Sequence, residues 1–324
     1  MKDFCIVGAG IAGSTIANLL SKKYSVEIFE KGKGPGGRSS KRRYEKDINF
    51  DHGLQYISPK DKSFTFFIKS LYKKKILSIW KGNHIDFTSN NKKQTKYIGK
   101  KGNNDICKYL LKNIKTNYSV SIKSISFKSD HWEIRTLNNS KFFFKNLILT
   151  CPFPQVKILA KKYVRNSFFK SKIKMQPNIT IMAIYKGVKP ISISSIKFKD
   201  KIISWAANEN SKNRFKSNLC IWTLQASLKW SKIYINKYKN MRKDLTKNFL
   251  NHFSKLVGFN QNKIIFSDIH GWKYSYNLNQ TRLKSMWIYK YNLGICGDWF
   301  IGPKGECAWL SAKDLYKKYK KKPA

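Results

Sequence analysis

The sequence predicts an α/β fold: a βαβ nucleotide-binding unit at the N-terminal end and an interleaved α+β part built on an antiparallel sheet. Three observations predict it. The first thirty or so residues read as strand, glycine turn, helix and strand. The middle of the chain alternates short β-branched and aromatic runs with polar turns. A short buried run and a helix close the chain, and no internal repeat is present.

Residues 3–8 (DFCIVG) predict a buried strand, residues 11–22 a helix with Ile11, Ile16, Leu19 and Leu20 inward, and residues 25–30 (SVEIFE) a second strand. Residues 32–43 form a loop rich in Gly and basic residues, followed by an extended piece and turn over 50–57 (FDHGLQYI). The apolar run over 63–80 reads as helical, as does 104–115. Residues 119–150 read as a β-meander ending in the buried strand Leu147–Thr150. Strands are expected over 178–186, 219–226, 263–274 and 293–297. Helices are expected over 240–257, with Leu245, Phe249, Leu250, Phe253, Leu256 and Val257 on one side, and over 307–321. Two interleaved domains follow from the length: 1–58, 97–160 and 291–324 in the nucleotide domain, 59–96 and 161–290 in the substrate domain.

Composition excludes a disordered chain, with 41% hydrophobic and 15% aromatic residues. The charge is extreme, 65 Lys plus Arg against 18 Asp plus Glu, or +47. A polyanionic partner is one explanation. Codon bias is the other, and the residues favour it. Only eight of the basic residues are Arg, the lysines are spread along the chain, Asn and Ile are abundant and Ala is scarce. The six cysteines, Cys5, Cys107, Cys151, Cys220, Cys296 and Cys307, show no CxxC spacing and no His cluster. No metal site or disulfide framework is expected, and a reduced cytoplasmic setting fits. No signal peptide and no membrane insertion are expected, because the apolar start carries three glycines in phosphate-loop spacing and no run of 18 apolar residues exists.

Gly8, Gly10 and Gly13 form GxGxxG between a strand and a helix. The first glycine permits the turn, the second lets backbone N–H groups approach a pyrophosphate, and the third lets helix pack on strand. Glu30 ends the next strand, where a carboxylate meets a ribose hydroxyl. The alternative for the same pattern is a purely structural Gly-rich turn. A carboxylate at this place disfavours a 2′-phosphate without separating FAD from NAD. GPGGRSS (34–40) follows within a few residues, and CGDWFIGPKGECAWLSA (296–312) puts Asp298 between a buried strand and a helix start. An ordinary helix N-cap is the alternative role for Asp298. Arg42 and Arg43 either add charge near phosphate or form a solvated basic run.

In order, VGAGIAG, FEKGKGPGGRSSKRR, FDHGLQY, TCPFPQ, WTLQAS, HGWKYS and GICGDW resemble the renalase-like FAD-dependent oxidoreductases of the flavin amine-oxidase superfamily, from residue 5 to about 312. The resemblance implies a Rossmann-type FAD-binding domain and noncovalent FAD. It implies that Gly8, Gly10, Ile11, Ala12, Gly13, Glu30, Lys31, Gly36, Gly37, Arg38 and Asp298 contact FAD, with Asp298 on the ribityl chain and the following helix aimed at the isoalloxazine. Where the family has an acidic-Gly-Ala step, this chain has Glu306-Cys307-Ala308. The implied reaction is hydride transfer from aberrant dihydro forms of NAD(P), with oxygen as acceptor and hydrogen peroxide as product.

His270, Trp272 and Tyr274 alternate at a strand end and so share one face, as catalytic or substrate-stacking residues or as packed aromatics around a core His. Trp205, Asn208 and Lys212 lie in a polar segment that matches the family, where Lys212 is a candidate for a substrate phosphate. Trp222 and Gln225 are three apart on a strand, so at most one lines a pocket. No general acid or base stands out. Two other readings remain open: an amine oxidase or desaturase of the same superfamily, and a basic nucleic-acid-binding protein with a vestigial nucleotide fold.

Overall fold

The computed structural model describes residues 1–45, 48–88, 94–169 and 173–321, and its described strands fall mainly into two large sheets. Strand Val26–Glu30 is buried along its whole length, as a β-branched and aromatic run flanked by parallel strands should be. It lies beside Lys2–Val7, with Phe4 opposite Val26 and Val7 opposite Phe29. The sheet continues in parallel through Lys141–Leu149 and Leu293–Ile295 on one side and Lys115–Tyr118 on the other. Antiparallel strands Ile122–Lys128 and His131–Thr136 complete the meander.

Alternation along the first strand sorts its side chains. Phe4 and Ile6 join Ile16, Leu20, Ala312 and Leu315 on one face, and Cys5 joins Trp132, Phe144 and Trp299 on the other. Helices Ile11–Leu20 and Gly305–Lys320 therefore pack on the same side of the sheet, although they come from opposite ends of the chain.

The second sheet runs Ile264–Asn277, Met175–Tyr185, Cys220–Ala226, Ile203–Asn208, Ser195–Lys197 and His84–Asp86. Ile179, Ile181, Leu224 and Ala206 face helix Arg242–Val257, packing on Leu245, Phe249, Leu250 and Phe253. Register places His270, Thr180, Gln225, Trp205, Lys197 and Asp86 in one row across the six strands, on the opposite face.

Several expectations change. The run over 63–80 is a helix only over Lys62–Lys73, capped by Asp61, whose carboxylate accepts from the Phe64 N–H. Lys75 then takes φ +58 and the chain returns as strand Leu77–Ile79. Phe64, Ile68 and Leu71 of that helix pack with Phe4 and Ile6, and strand Met286–Ile288 pairs with Leu293–Ile295. Both segments, expected in the substrate domain, thus sit with the first sheet. Leu256 is 46% exposed rather than inward, because the helix turns it past the buried stripe. Leu19 is only half-buried. Helix Phe153–Ala160, begun by Pro152, occupies the connector for which no helix was expected. Strand Ile203–Asn208 likewise replaces an unassigned stretch.

Candidate active site

The two sheets enclose a cleft of about 2190 Å³. Typical small-molecule pockets hold about 300–1,000 Å³, so this one has room for a dinucleotide and a second ligand together. Its nucleotide end is built by the glycines. Gly8 has φ +107, and a Cβ there would lie 2.7 Å from the Thr150 hydroxyl. A Cβ on Gly13 would come within 1.9 Å of the Gly8 carbonyl, so the fold itself requires glycine at both positions. Gly10 differs. Its φ is −75, open to any residue, and a Cβ there would meet nothing nearer than the Gly36 carbonyl at 3.8 Å. Packing does not require glycine at position 10; a ligand approaching the backbone would.

Ile11 and Ala12 line the cleft beside it, at the first turn of the helix. The Glu30 carboxylate accepts from the N–H groups of Ala9 at 2.8 Å and Gly32 at 2.7 Å, which fixes it at the strand end with Lys31 exposed alongside. The second glycine loop touches the first, since Gly36 donates to the Ala9 carbonyl at 2.9 Å and bridges Gly10. Gly36 and Gly37 take φ +129 and +52, a backbone that side chains resist.

Arg38 and Asp298 meet each other. The guanidinium donates to both carboxylate oxygens, at 2.8 and 2.6 Å, and to the Ser275 carbonyl at 2.8 Å. The Asp298 carboxylate is engaged by Arg38, so the helix-cap alternative does not hold, and three distant segments join here. The N-terminus of helix Gly305–Lys320 opens on the cleft through Gly305 and Ala308. Glu306 turns away to accept from the Lys60 and Asp61 N–H groups at 2.7 Å each. Cys307 does not line the cleft, so its substitution leaves the close approach at this turn to Gly305.

At the other end, His270, Trp272 and Tyr274 line the cleft together. His270 and Trp272 rings lie 4.4 Å apart between centroids, and both pack on His52, at 4.8 and 5.0 Å. Trp272 donates its indole N–H to the His52 carbonyl at 2.8 Å. His52 was not anticipated, since it sits in a loop without periodicity; its only signal was its place in FDHG, beside an acid and a glycine. Burial pushes its pKa down to about 3, and burial lowers that of His270 as well, so both rings are neutral at pH 7.

Gln225 and Trp205 line the cleft, whereas Trp222 packs on Phe253 and Phe259 in the opposite core. Gln225 and Gln55 both donate to the Gly53 carbonyl, at 2.8 and 3.1 Å. Asn208 turns to the Ile193 carbonyl and Arg42 pairs with Asp268 at 3.0 Å, while Arg43 is exposed at the cleft edge. Lys212 corrects its expectation: fully buried, it lies 2.9 Å from both Asp51 and Glu209 and does not line the cleft. Among the described residues, twelve Lys and Arg line the cleft against three Asp and Glu. That imbalance is close to the 65 against 18 of the whole chain, so the cleft is not a special basic patch. Among the described residues no group of His, Cys, Asp and Glu could hold a metal, and no helix is long and apolar enough to cross a membrane.

The NAD(P)-binding Rossmann-like domain family matches residues 6–71. Mouse (Mus musculus) renalase is 29% identical over 169 residues, 48% of each chain. An uncharacterised protein of Methanocaldococcus jannaschii is 44% identical over 54 residues, 17% of this chain and 14% of its own. The chain thus spans about half or less of the curated relatives it matches. Among solved structures, a putative protoporphyrinogen oxidase from Exiguobacterium sp. 255-15 superposes with a TM-score of 0.75 over 98% of both chains at 11% identity. Putrescine oxidase bound to putrescine superposes with a TM-score of 0.69 over 98% of both chains at 10% identity. These two likenesses establish a shared fold.

Proposed function

We propose that the chain is an FAD-dependent oxidoreductase whose electron donor is an aberrant dihydro isomer of NAD or NADP and whose acceptor is molecular oxygen. The observation that carries this reading is the continuity of the cleft, which runs from both glycine loops, past Arg38 and Asp298, to the His52, His270, Trp272 and Tyr274 wall. Gly8, Gly10, Ile11 and Ala12 would hold the pyrophosphate, with Gly13 off the cleft letting the helix pack on the turn, Glu30 and Lys31 the ribose end, and Gly36, Gly37, Arg38 and Asp298 the remainder of FAD. Bound there, FAD supplies a two-electron acceptor for hydride. In the balance, the donor loses a hydride, and O2 takes those two electrons with the hydride's proton and one from solvent to give H2O2.

The protein's part is orientation. Trp205, Trp272 and Tyr274 offer aromatic faces to a flat ring. His52 and His270 contribute neutral imidazoles to this wall. The cationic lining disfavours an ammonium substrate, which weighs against the amine-oxidase reading. Noncovalent attachment is part of the proposal, as is a cytoplasmic setting: Cys296 and Cys307 lie off the cleft, and burial pushes the thiol pKa of Cys151, which lines it, up to about 12. So is the division into an FAD domain of 1–58, 97–160 and 291–324 and a substrate domain of the rest, with helix Lys62–Lys73 and strand Met286–Ile288 moved to the former.

Purified protein is expected to be yellow. Anaerobic addition of equilibrated NADH or NADPH, which contain minor isomers, is expected to bleach the flavin band in proportion to those isomers, and air is expected to restore it with peroxide. Bleaching by amines alone would replace this reading, and a colourless protein that FAD cannot reconstitute would remove it.

Ionic strength gives a second check. Raising salt from about 0.01 to about 0.15 M shortens the Debye length from about 30 to about 8 Å. The kcat/KM for a dihydronicotinamide dinucleotide is expected to fall several-fold over that range, while that of the uncharged riboside stays level. Equal salt response for both donors would show that charge does not aid capture.

A further inference from the structure

Behind the aromatic wall lies a knot of four buried charges. Asp51 sits against Lys212 at 2.9 Å and Arg214 at 2.5 Å, and Lys212 also lies 2.9 Å from Glu209. The Asp51 and Lys212 side chains are fully buried, as is that of Glu209, and Arg214 nearly so. Further bonds hold the cluster, although one Glu209 carboxylate oxygen has no hydrogen-bond partner among the described residues. Glu209 accepts from the Thr223 hydroxyl at 2.6 Å and from the Asp51 N–H at 3.2 Å. Asp51 accepts from the Asn103 N–H at 3.1 Å, and Arg214 donates to the Gly99 carbonyl at 3.0 Å. Four charges withdrawn from water cost stability unless their geometry answers a need. Nothing in the proposed chemistry uses any of them.

What they touch suggests the need. Asp51 begins the loop 51–55, and each next residue of that loop is part of the cleft. The His52 carbonyl holds the Trp272 indole and the Gly53 carbonyl holds Gln225, at 2.8 Å each, while Leu54 donates to the Arg38 carbonyl at 2.8 Å. A Cβ on Gly53 would lie 2.1 Å from the Arg38 carbonyl and 3.3 Å from the Trp272 ring, so the loop is wedged between the cofactor loop and the aromatic wall with no slack.

We propose that Asp51, with Lys212, Glu209 and Arg214, is a positioning cluster that sets the distance between the Trp272 wall and the cofactor groove by pinning the loop 51–55 from behind. None of the four lines the cleft. Their number and mixed sign make the pin rigid: each charge has two or more partners, so no single side chain can swing without breaking several charge-assisted bonds.

Two variants test this. Asp51→Asn keeps the shape and removes one charge, and Thr223→Val, the milder change, removes only the hydroxyl bond to Glu209. The first readout needs no activity. The indole N–H cross-peak of Trp272, assigned by its loss in Trp272→Phe, is expected to shift and exchange faster in both variants. The Trp132 indole, bonded to the Tyr291 carbonyl in the other sheet, is expected to stay put. The second readout, which rests on the proposed oxidation, is the single-turnover rate of flavin reduction per bound flavin. A misplacement near 1 Å costs about 100-fold, so a 10- to 100-fold fall is expected for Asp51→Asn with little change in flavin affinity. A Trp272 cross-peak that does not respond in folded Thr223→Val overturns the positioning role, as does an unchanged rate per bound flavin with only a lower Tm. If the parent protein ignores every dihydronicotinamide while Trp272 still responds, the functional reading falls and the positioning role stands.

Discussion

Gly10→Ala is expected to give a protein that folds like its parent and binds FAD at least about 100-fold more weakly, a loss near 2.7 kcal/mol. Position 10 has an ordinary φ and 3.8 Å of clearance to the nearest protein atom, so the methyl group strains nothing in the apoprotein. Residue 10 caps helix Ile11–Leu20, and Gly ranks above Ala there, so the apoprotein is expected to lose about 1 kcal/mol and still fold. The methyl group projects into the space where a pyrophosphate would meet backbone N–H groups. Gly13→Ala is the contrast. Its methyl would stand 1.9 Å from the Gly8 carbonyl, and that chain is expected to fail in folding before any cofactor is offered. Thermal melts of the apoproteins and flavin titrations separate the two outcomes. Parent-like flavin binding in Gly10→Ala would mean that the cofactor does not lie along this loop.

Lys212→Met is expected to cost about 3–5 kcal/mol, because it leaves Asp51 and Glu209 buried with Arg214 as their remaining cation. For a chain of this size each kcal/mol moves Tm by about 2–4 °C, so a fall of roughly ten degrees is expected. The same change at exposed Lys243 is expected to stay within about 0.5 kcal/mol. The cluster also fixes the response to acid. Burial pushes the Asp51 carboxyl up, but Arg214 and Lys212 outweigh it and hold the pKa at about 2, against an ordinary 3.8. A depressed folded-state pKa means that this stabilisation is complete above pH 3.8 and is lost as pH falls towards 2. In Lys212→Met the folded-state pKa is expected to rise towards the ordinary value, so less stabilisation remains to be lost and the loss ends at higher pH. Melts that match the parent at neutral pH would show that Lys212 is not held as an ion.

The contrast between these two lysines shows where sequence reasoning stops. The βαβ unit is legible because its signals are local: a buried run, three glycines at fixed spacing and an acid at the next strand end all fall within 30 residues. The separation of Gln225 from Trp222 follows from strand alternation alone. Lys212 could not be placed that way, since its partner Asp51 is 161 residues away and nothing near Lys212 marks it among 57 lysines. The polar row from His270 to Asp86 depends on the register of six strands, which the amino-acid pattern of any one of them does not encode. Arg38 and Asp298 each drew notice through their motifs, yet their mutual pairing across 260 residues appears only in three dimensions.

That pairing also imposes an order on biosynthesis. A ribosome releases Gly8, Glu30 and Arg38 first, but the strand that flanks Lys141–Leu149, the carboxylate that answers Arg38 and the helix that covers Phe4 and Ile6 come from residues 293–315. Until residues 293–315 emerge, the opening unit lacks part of the cover over its apolar face, a surface that invites chaperones. Only when residues 293–315 dock does the nascent chain acquire the complete groove, so loading of the proposed FAD follows synthesis of that segment.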